Sequence, residues 1–141
     1  MSQWFWYAIG AAILYGLHQI FTKLASSHIG EGVGGLVVEV SAAVTILLYL
    51  LILGGTSQMN QQVSANGIAY SVLTGLCVGL GTVLFFLLFQ KGAPLLAAPV
   101  VLAGGSAIMA VAGILFFKET PSLQRLAGVA LAIAAMFLLR K

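Results

Sequence analysis

Five long apolar runs constrain the fold of this chain more than any other feature. Crossing the hydrocarbon core of a membrane takes about 20 apolar residues in a helix, with a range of roughly 17–25. The separators between the runs are too short to fold as soluble domains. The sequence therefore predicts an all-α integral membrane protein, with a single domain over residues 1–141 and five transmembrane helices. Their expected bounds are about 4–24, 33–53, 68–89, 94–117 and 123–139.

Composition agrees with this class. The 141 residues are 61% hydrophobic and only 6% charged, whereas about a quarter of the residues in a soluble domain are charged. No cluster of Lys and Arg suggests a nucleic-acid partner. The N-terminus lacks the basic region and cleavage site of a signal peptide, so we expect the first run to persist as a spanning helix.

Enzyme signatures are missing from the sequence. It holds no zincin motif, phosphate-binding loop or serine elbow. His18 and His28 have no cysteine or acid at metal-ligand spacing. We therefore expect no catalysis, no metal and no cofactor.

Charged residues near the ends of the runs predict the orientation. Lys23, Lys91 and Arg125 are most simply interface anchors. With the N-terminus outside, four basic residues lie on the cytoplasmic side and two lie outside. We expect an N-out, C-in orientation, but the charge bias is weak and insertion both ways up (dual topology) stays open.

Small residues and one proline predict how the helices pack and bend. Membrane helices associate by close backbone approach, because lipid supplies no hydrophobic drive between them. Pro99 lies inside the fourth run, where a proline is expected to kink the helix. The glycines expected at packing contacts are Gly75, Gly79, Gly105, Gly113 and Gly128.

Two polar stripes run along the helices. Tyr15, His18, Gln19 and Thr22 fall on one face of the first helix. A milder stripe in the third helix consists of Ser71, Thr74, Gly75, Val78 and Thr82. Polar faces in lipid turn toward other helices or a wet cavity. The substrate-cavity candidates from the two stripes are Tyr15, His18, Gln19, Thr22, Ser71 and Thr74. Ordinary hydrogen bonding between helices remains the alternative.

Glu39 is the one charge inside the second run. At 1.5 Å rise per residue, His18 and Glu39 each lie about 6 Å from the midpoint of their runs, toward the shared turn. They are therefore level, and the candidate partners of Glu39 are His18 and Lys23, which lies closer to the same end. A lone carboxylate at this depth is costly unless it is paired, protonated or hydrated. Two interpretations remain open: a proton- or cation-binding site, or a second helix that starts near Leu36 and leaves Glu39 one turn from water.

The segment "KGAPLLAAPVVLAGGSAIMAVAGILFFKETPSLQRLAGVALAIAAMFLL" resembles the end of an EamA-type repeat from the drug/metabolite transporter superfamily. It has a small- and Pro-rich helix, "KE" at the helix end, a short turn with Pro121 and a closing helix with Gly128. "ILYGLHQIFTKLAS" resembles the opening of the same repeat. The likeness covers nearly the whole chain.

This resemblance implies one half of a ten-helix transporter fold, completed by dimerisation. The implied function is a secondary transporter subunit, expected to be an exporter, that moves a small metabolite or hydrophobic organic compound across the inner membrane. It would work by alternating access as an antiparallel homodimer in contact with lipid. The alternatives are a half-transporter with a different sister subunit, and a non-transporting scaffold or regulatory subunit. Four-helix relatives use a glutamate in their first helix for proton coupling, whereas the acid here is in the second, so proton coupling is left open.

Overall fold

A computed structural model describes residues 3–54, 63–118, 120 and 122–138 of the chain. These residues form five α-helices and no strand, which confirms the all-helical prediction. The helices are α1 (Gln3–Ser26), α2 (Glu31–Gly54), α3 (Ala65–Gln90), α4 (Ala97–Leu115) and α5 (Leu123–Leu138).

Three helices, α2, α3 and α4, are long and apolar enough to cross a membrane. Helix α1 has sufficient length at 24 residues, but its tryptophans, tyrosines, His18 and Gln19 reduce its apolar character. The described part of α5 has 16 residues, fewer than the roughly 17–25 that a span requires. A membrane protein is supported by the three apolar helices, and the five-span count stays a prediction.

The helices belong to two compact units, Met1–Gly92 and Ala93–Lys141. The first contains α1, α2 and α3, and the second contains α4 and α5. The first unit ends in a turn after α3, where Gly92 has a φ of +88°. Glycine adopts this left-handed conformation without the steric cost that a Cβ would bring.

In the first unit, α3 packs against both α2 and α1. The buried residues concentrate at the end that contains the α1–α2 turn, in the last part of α1, the first part of α2 and the last part of α3. A hydrogen bond links α3 to that turn, since Gln90 Nε2 donates to Ile29 O at 3.0 Å. Phe86, which is fully buried, fills the space between the helices at this end.

The closest approach of α2 and α3 occurs at Gly34 and Gly35. A Cβ at Gly34 would overlap the Phe86 ring, and one at Gly35 would stand 3.2 Å from Val83 Cγ2. The glycines predicted as packing contacts differ from these. Within the described part of the chain, and apart from the adjacent backbone of the same helix, no atom lies within 4 Å of the position a Cβ would take at Gly75, Gly79, Gly105 or Gly128. The reason is that the helices of the first unit approach most closely near the turn, whereas Gly75 lies in the exposed half of α3.

In the second unit, α4 packs against α5. Helix α4 begins at Ala97, three residues later than predicted, after a turn in which Ala97 N donates to Pro94 O at 2.9 Å. Pro99 is consequently the third residue of α4. Proline is tolerated in the first turn of a helix, because the first N–H groups have no intrahelical acceptor. The predicted kink at Pro99 is therefore not required.

Candidate functional site

Glu39 lies inside α2, eight residues beyond its first residue, Glu31. At 1.5 Å per residue this is about 12 Å from the helix start. The first turn forms normally, with Gly34 N donating to Gly30 O at 2.7 Å. The interpretation in which the second helix starts near Leu36 is therefore wrong, because the glycines at 32, 34 and 35 are helical.

A hydrogen bond joins Glu39 to α3. Thr82 Oγ1 lies 2.7 Å from Glu39 Oε1 and can donate to it. The same hydroxyl lies 3.0 Å from Val78 O, one turn earlier in α3. Thr82 is 5% exposed and Glu39 is half-buried. The carboxyl group is thus held at the α2–α3 packing contact, away from the helix ends.

Helix α1 contributes a buried polar face. Gln19, Thr22 and Ser26 are buried, as expected for residues spaced three and four apart on one side of a helix. Ser26 Oγ donates to Lys23 O at 2.8 Å. Two buried atoms on α1, His18 Nδ1 and Gln19 Oε1, have no hydrogen-bond partner. Buried polar atoms in native proteins are nearly always bonded, so this face has unused capacity for a water molecule or a polar ligand.

Helix lengths place three of these polar residues at one level. His18 is eight residues before the end of α1, Glu39 eight residues after the start of α2, and Thr82 eight residues before the end of α3. These three helix ends meet at the α1–α2 turn, where Gln90 bonds Ile29. The prediction that His18 and Glu39 lie at the same depth agrees with these residue counts. The carboxyl group nevertheless bonds Thr82, and among the described residues no hydrogen bond joins it to His18.

The expected anchors lie in different surroundings. Lys23 is half-buried, and its Nζ lies 5.1 Å from the centroid of the Phe89 ring, within cation–π range. Lys91 is exposed and caps the C-terminus of α3, where a cation is favoured by the helix dipole. The side chain of Arg125 lies outside what the structure describes.

The remaining cavity candidates, Tyr15, Ser71 and Thr74, are exposed. Tyr15 is 65% exposed. Thr74 is exposed and its Oγ1 donates to Tyr70 O at 2.9 Å. Ser71 lines an open depression near the start of α3, beside Ser64 and Gly67. The structure thus brings Gln19 and Thr22 into a buried layer and leaves Tyr15, Ser71 and Thr74 exposed.

Thr82 belongs to the polar stripe predicted for the third run, but it was not among the residues chosen from that stripe as cavity candidates, which were Ser71 and Thr74. Counting residues from the helix ends would have placed Thr82 level with Glu39, but the sequence does not mark where those helices end. Gly34 was also missed as a packing contact, because the glycines at 32, 34 and 35 were interpreted as an uncertain start of the second helix.

Chemically, the arrangement can hold a proton or accept a hydrogen bond from a polar ligand. Among the described residues, no group of three or more His, Cys, Asp or Glu side chains could hold a metal ion. Comparison with protein-family models, with curated proteins and with solved structures finds no match.

Proposed function

We propose that this chain is a subunit of a secondary transporter that exports a small metabolite or a hydrophobic organic compound. In this proposal the five helices all span the membrane, and two copies in opposite orientations complete a ten-helix transporter. The substrate crosses by alternating access, in the manner of the EamA-type repeat that the sequence resembles.

The observation that carries the proposal is the Glu39–Thr82 contact between two helices that are apolar enough to span a membrane. Ionisable residues inside membrane helices are costly, and they commonly mark substrate or ion pathways. The buried α1 face with Gln19 and Thr22 adds polar groups to the same unit. The position of the Glu39 carboxyl group between two helices is explained if a proton or a polar solute reaches it.

The pattern of burial in the first unit supports pairing with a second copy. The polar residues Tyr15, Ser71 and Thr74 are exposed, although polar side chains in spanning helices usually face protein or water. A second, inverted copy would supply that protein surface. The weak charge bias of the sequence is what insertion in both orientations requires.

Transport is tested with purified protein in liposomes that contain an entrapped pH-sensitive dye, using ethidium and a set of radiolabelled amino acids as probes. We expect flux of at least one probe above that of empty liposomes, and at least a tenfold loss of that flux in Glu39→Gln. The matched control is Glu31→Gln, which removes an acid from the first turn of the same helix and is expected to retain flux. Absence of flux for every probe, or equal loss in both variants, would contradict the proposal.

A C-terminal topology reporter tests the antiparallel assembly. Labelling from both sides of the membrane is expected if the two orientations coexist. Strictly one-sided labelling would exclude the antiparallel homodimer. Flux that appears only after co-expression with a second, related chain would favour the half-transporter alternative.

A further inference from the structure

Both tryptophans and three of the four tyrosines of the chain lie at one end of the first unit, opposite the α1–α2 turn. They belong to the start of α1, the last part of α2 and the first part of α3. Their side chains are all between 59% and 77% exposed. This set, called the aromatic layer below, consists of Trp4, Trp6, Tyr7, Tyr49 and Tyr70.

The aromatic layer lies at a similar distance from the α1–α2 turn on all three helices. Trp6 and Tyr70 are each 20 residues before the last residue of their helix, and Tyr49 is 18 residues after the first residue of α2. At 1.5 Å rise per residue, these separations are about 30, 30 and 27 Å. The hydrocarbon core of a bilayer is about 30 Å thick, so the two ends of the unit are one membrane thickness apart.

Charged residues are concentrated at the other end of the unit. Lys23, Glu31 and Lys91 lie near the α1–α2 turn, and elsewhere in α1, α2 and α3 the single charged residue is Glu39. The segments 3–17, 40–54 and 65–76, which form the aromatic end, contain no Asp, Glu, Lys or Arg. Tryptophan and tyrosine are therefore the residues of this end that can anchor it at a membrane surface.

The rings at the start of α1 surround the helix. Residues 4–7 are four consecutive aromatic residues, and one helical turn takes 3.6 residues. All four side chains are exposed. A docked protein would contact one side of α1, whereas a layer of lipid headgroups contacts every side. The distribution of the rings therefore favours lipid as the partner of this surface.

We infer that the aromatic layer binds the headgroup region of one membrane leaflet, and that the other membrane surface passes through the α1–α2 turn. The indole N–H and phenol O–H groups donate to lipid ester and phosphate oxygens, while the rings rest against the upper acyl chains. Lys91, which is exposed at the end of α3, meets the opposite headgroups. This placement goes beyond the proposed function, since it holds whether or not the chain moves a solute.

The placement assigns a depth to residues between the two surfaces. Glu39 is eight residues after the start of α2 and ten residues before Tyr49, which puts it about 12 Å from one surface and about 15 Å from the other. Cys77 is seven residues after Tyr70 and 13 residues before the end of α3, at about 10 and 20 Å. Both residues therefore lie inside the hydrocarbon core.

Depth-dependent fluorescence quenching tests the aromatic layer directly, because both tryptophans of the chain belong to it. Full-length protein is reconstituted in phosphatidylcholine vesicles that contain a lipid with a nitroxide either near the headgroup or near the end of an acyl chain. We expect the shallow nitroxide to quench about twice as strongly as the deep one, since indoles reside at headgroup level. Depth is counted from the nearer surface, so the result is the same for either orientation of the chain.

Single-tryptophan variants extend the test to the other helices. In a Trp4→Phe/Trp6→Phe background, Tyr49→Trp and Tyr70→Trp are expected to be quenched more strongly by the shallow nitroxide. The matched control is Leu14→Trp in the same background. Leu14 is 68% exposed and lies eight residues beyond Trp6, about 12 Å deeper, so the deep nitroxide should quench this variant more strongly. Circular dichroism of each variant checks that the helices remain folded.

Thiol labelling tests the opposite surface. Cys77 is the one cysteine of the chain and is exposed, but a thiolate is costly inside the hydrocarbon core. In lipid nanodiscs we expect Cys77 to react with a water-soluble maleimide about tenfold more slowly than Ser27→Cys in a Cys77→Ser background, because Ser27 is exposed in the turn. Cys77 should react fully once the protein is unfolded in SDS.

Stronger quenching of the native tryptophans by the deep nitroxide would overturn the aromatic layer. Weak quenching by both nitroxides would also overturn it, because the rings would then be covered by a second copy or lie in water. Equal labelling of Cys77 and Ser27→Cys would overturn the second surface. The expected depths together with absent flux would reject the transporter and leave the placement intact, whereas flux with the wrong depths would reject the placement alone.

Discussion

The two ends of the first unit differ in how their side chains are used. Near the α1–α2 turn, Phe86, Phe89, Thr22 and Thr82 are buried. At the opposite end, every described side chain of 3–17 and 65–78 is exposed. The same three helices therefore pack tightly over one half of their length and make little contact over the other.

This difference shows where the three helices bury side chains against one another without a second chain. Close approach needs small residues, and Gly34 and Gly35 supply them near the turn. The other end has large apolar side chains such as Leu47, Leu51 and Leu73, all more than half exposed. Lipid can cover them at little cost, because it is as apolar as they are. The packed end is expected to carry the stability of the unit, and the exposed end is available to lipid or a second copy.

The largest effect is expected from Phe86→Ala. This fully buried ring lies against Gly34, and its removal should lower the free energy of unfolding by about 3 kcal/mol, at the low end of values for buried Phe→Ala. The matched control is Leu84→Ala in the same helix, which is 64% exposed and should cost about 0.5 kcal/mol or less. SDS-driven unfolding in mixed micelles measures both. Equal losses of stability in the two variants would show that the surface around Leu84 is covered by another chain. They would contradict the difference in burial between positions 84 and 86.

The second prediction concerns Gly34→Ala. A methyl group here overlaps the Phe86 ring, so we expect a loss of about 2 kcal/mol in the free energy of unfolding, typical of an overpacked contact. At Gly32, two residues earlier, no atom among the described residues lies within 4 Å of the position that a methyl group would take, apart from the adjacent backbone of α2. Gly32→Ala should therefore stabilise α2 by up to about 1 kcal/mol through helix propensity. Loss of stability in Gly32→Ala of the same size as in Gly34→Ala would contradict the assigned contact.

Much of this architecture could be predicted from the sequence, for identifiable reasons. Apolar runs determine helices reliably, since a backbone in lipid must satisfy its own hydrogen bonds. The level of Glu39 followed from helical rise and short turns. The hydrogen-bond partner of Glu39 could not be predicted from the sequence, because α1 and α3 both present polar residues at the same level. His18 was chosen on α1, whereas α3 packs against α2 and offers Thr82. The start of α4 was misplaced because Pro94 and Pro99 are both compatible with a first turn.

The third prediction tests the polar contact within the packed end. Thr82→Val keeps the shape of the side chain and removes its hydrogen bonds, so we expect a loss of about 1 kcal/mol in the free energy of unfolding. Thr74→Val removes a bond to Tyr70 O at the exposed end and is expected to cost less. A double-mutant cycle with Glu39→Gln should give a coupling free energy of about 1 kcal/mol between positions 39 and 82. Additive losses would mean that the Glu39–Thr82 contact contributes nothing to the packed end.

The smallest effect is expected at the edge of the packed end, in Gln90→Ala. This exposed side chain donates from Nε2 to Ile29 O at 3.0 Å, and a solvent-accessible bond of this kind contributes about 0.5 kcal/mol. Global unfolding will barely register the loss, so the measurement is amide hydrogen exchange in the α1–α2 turn. Exchange should accelerate about twofold at residues 27–30, since 0.5 kcal/mol corresponds to roughly that factor, and should stay unchanged at 40–49. Gln3→Ala, at the exposed start of α1, is the control and should alter neither segment. Faster exchange throughout α2 would instead mean that the two ends unfold together, because the turn contact would then support the whole helix.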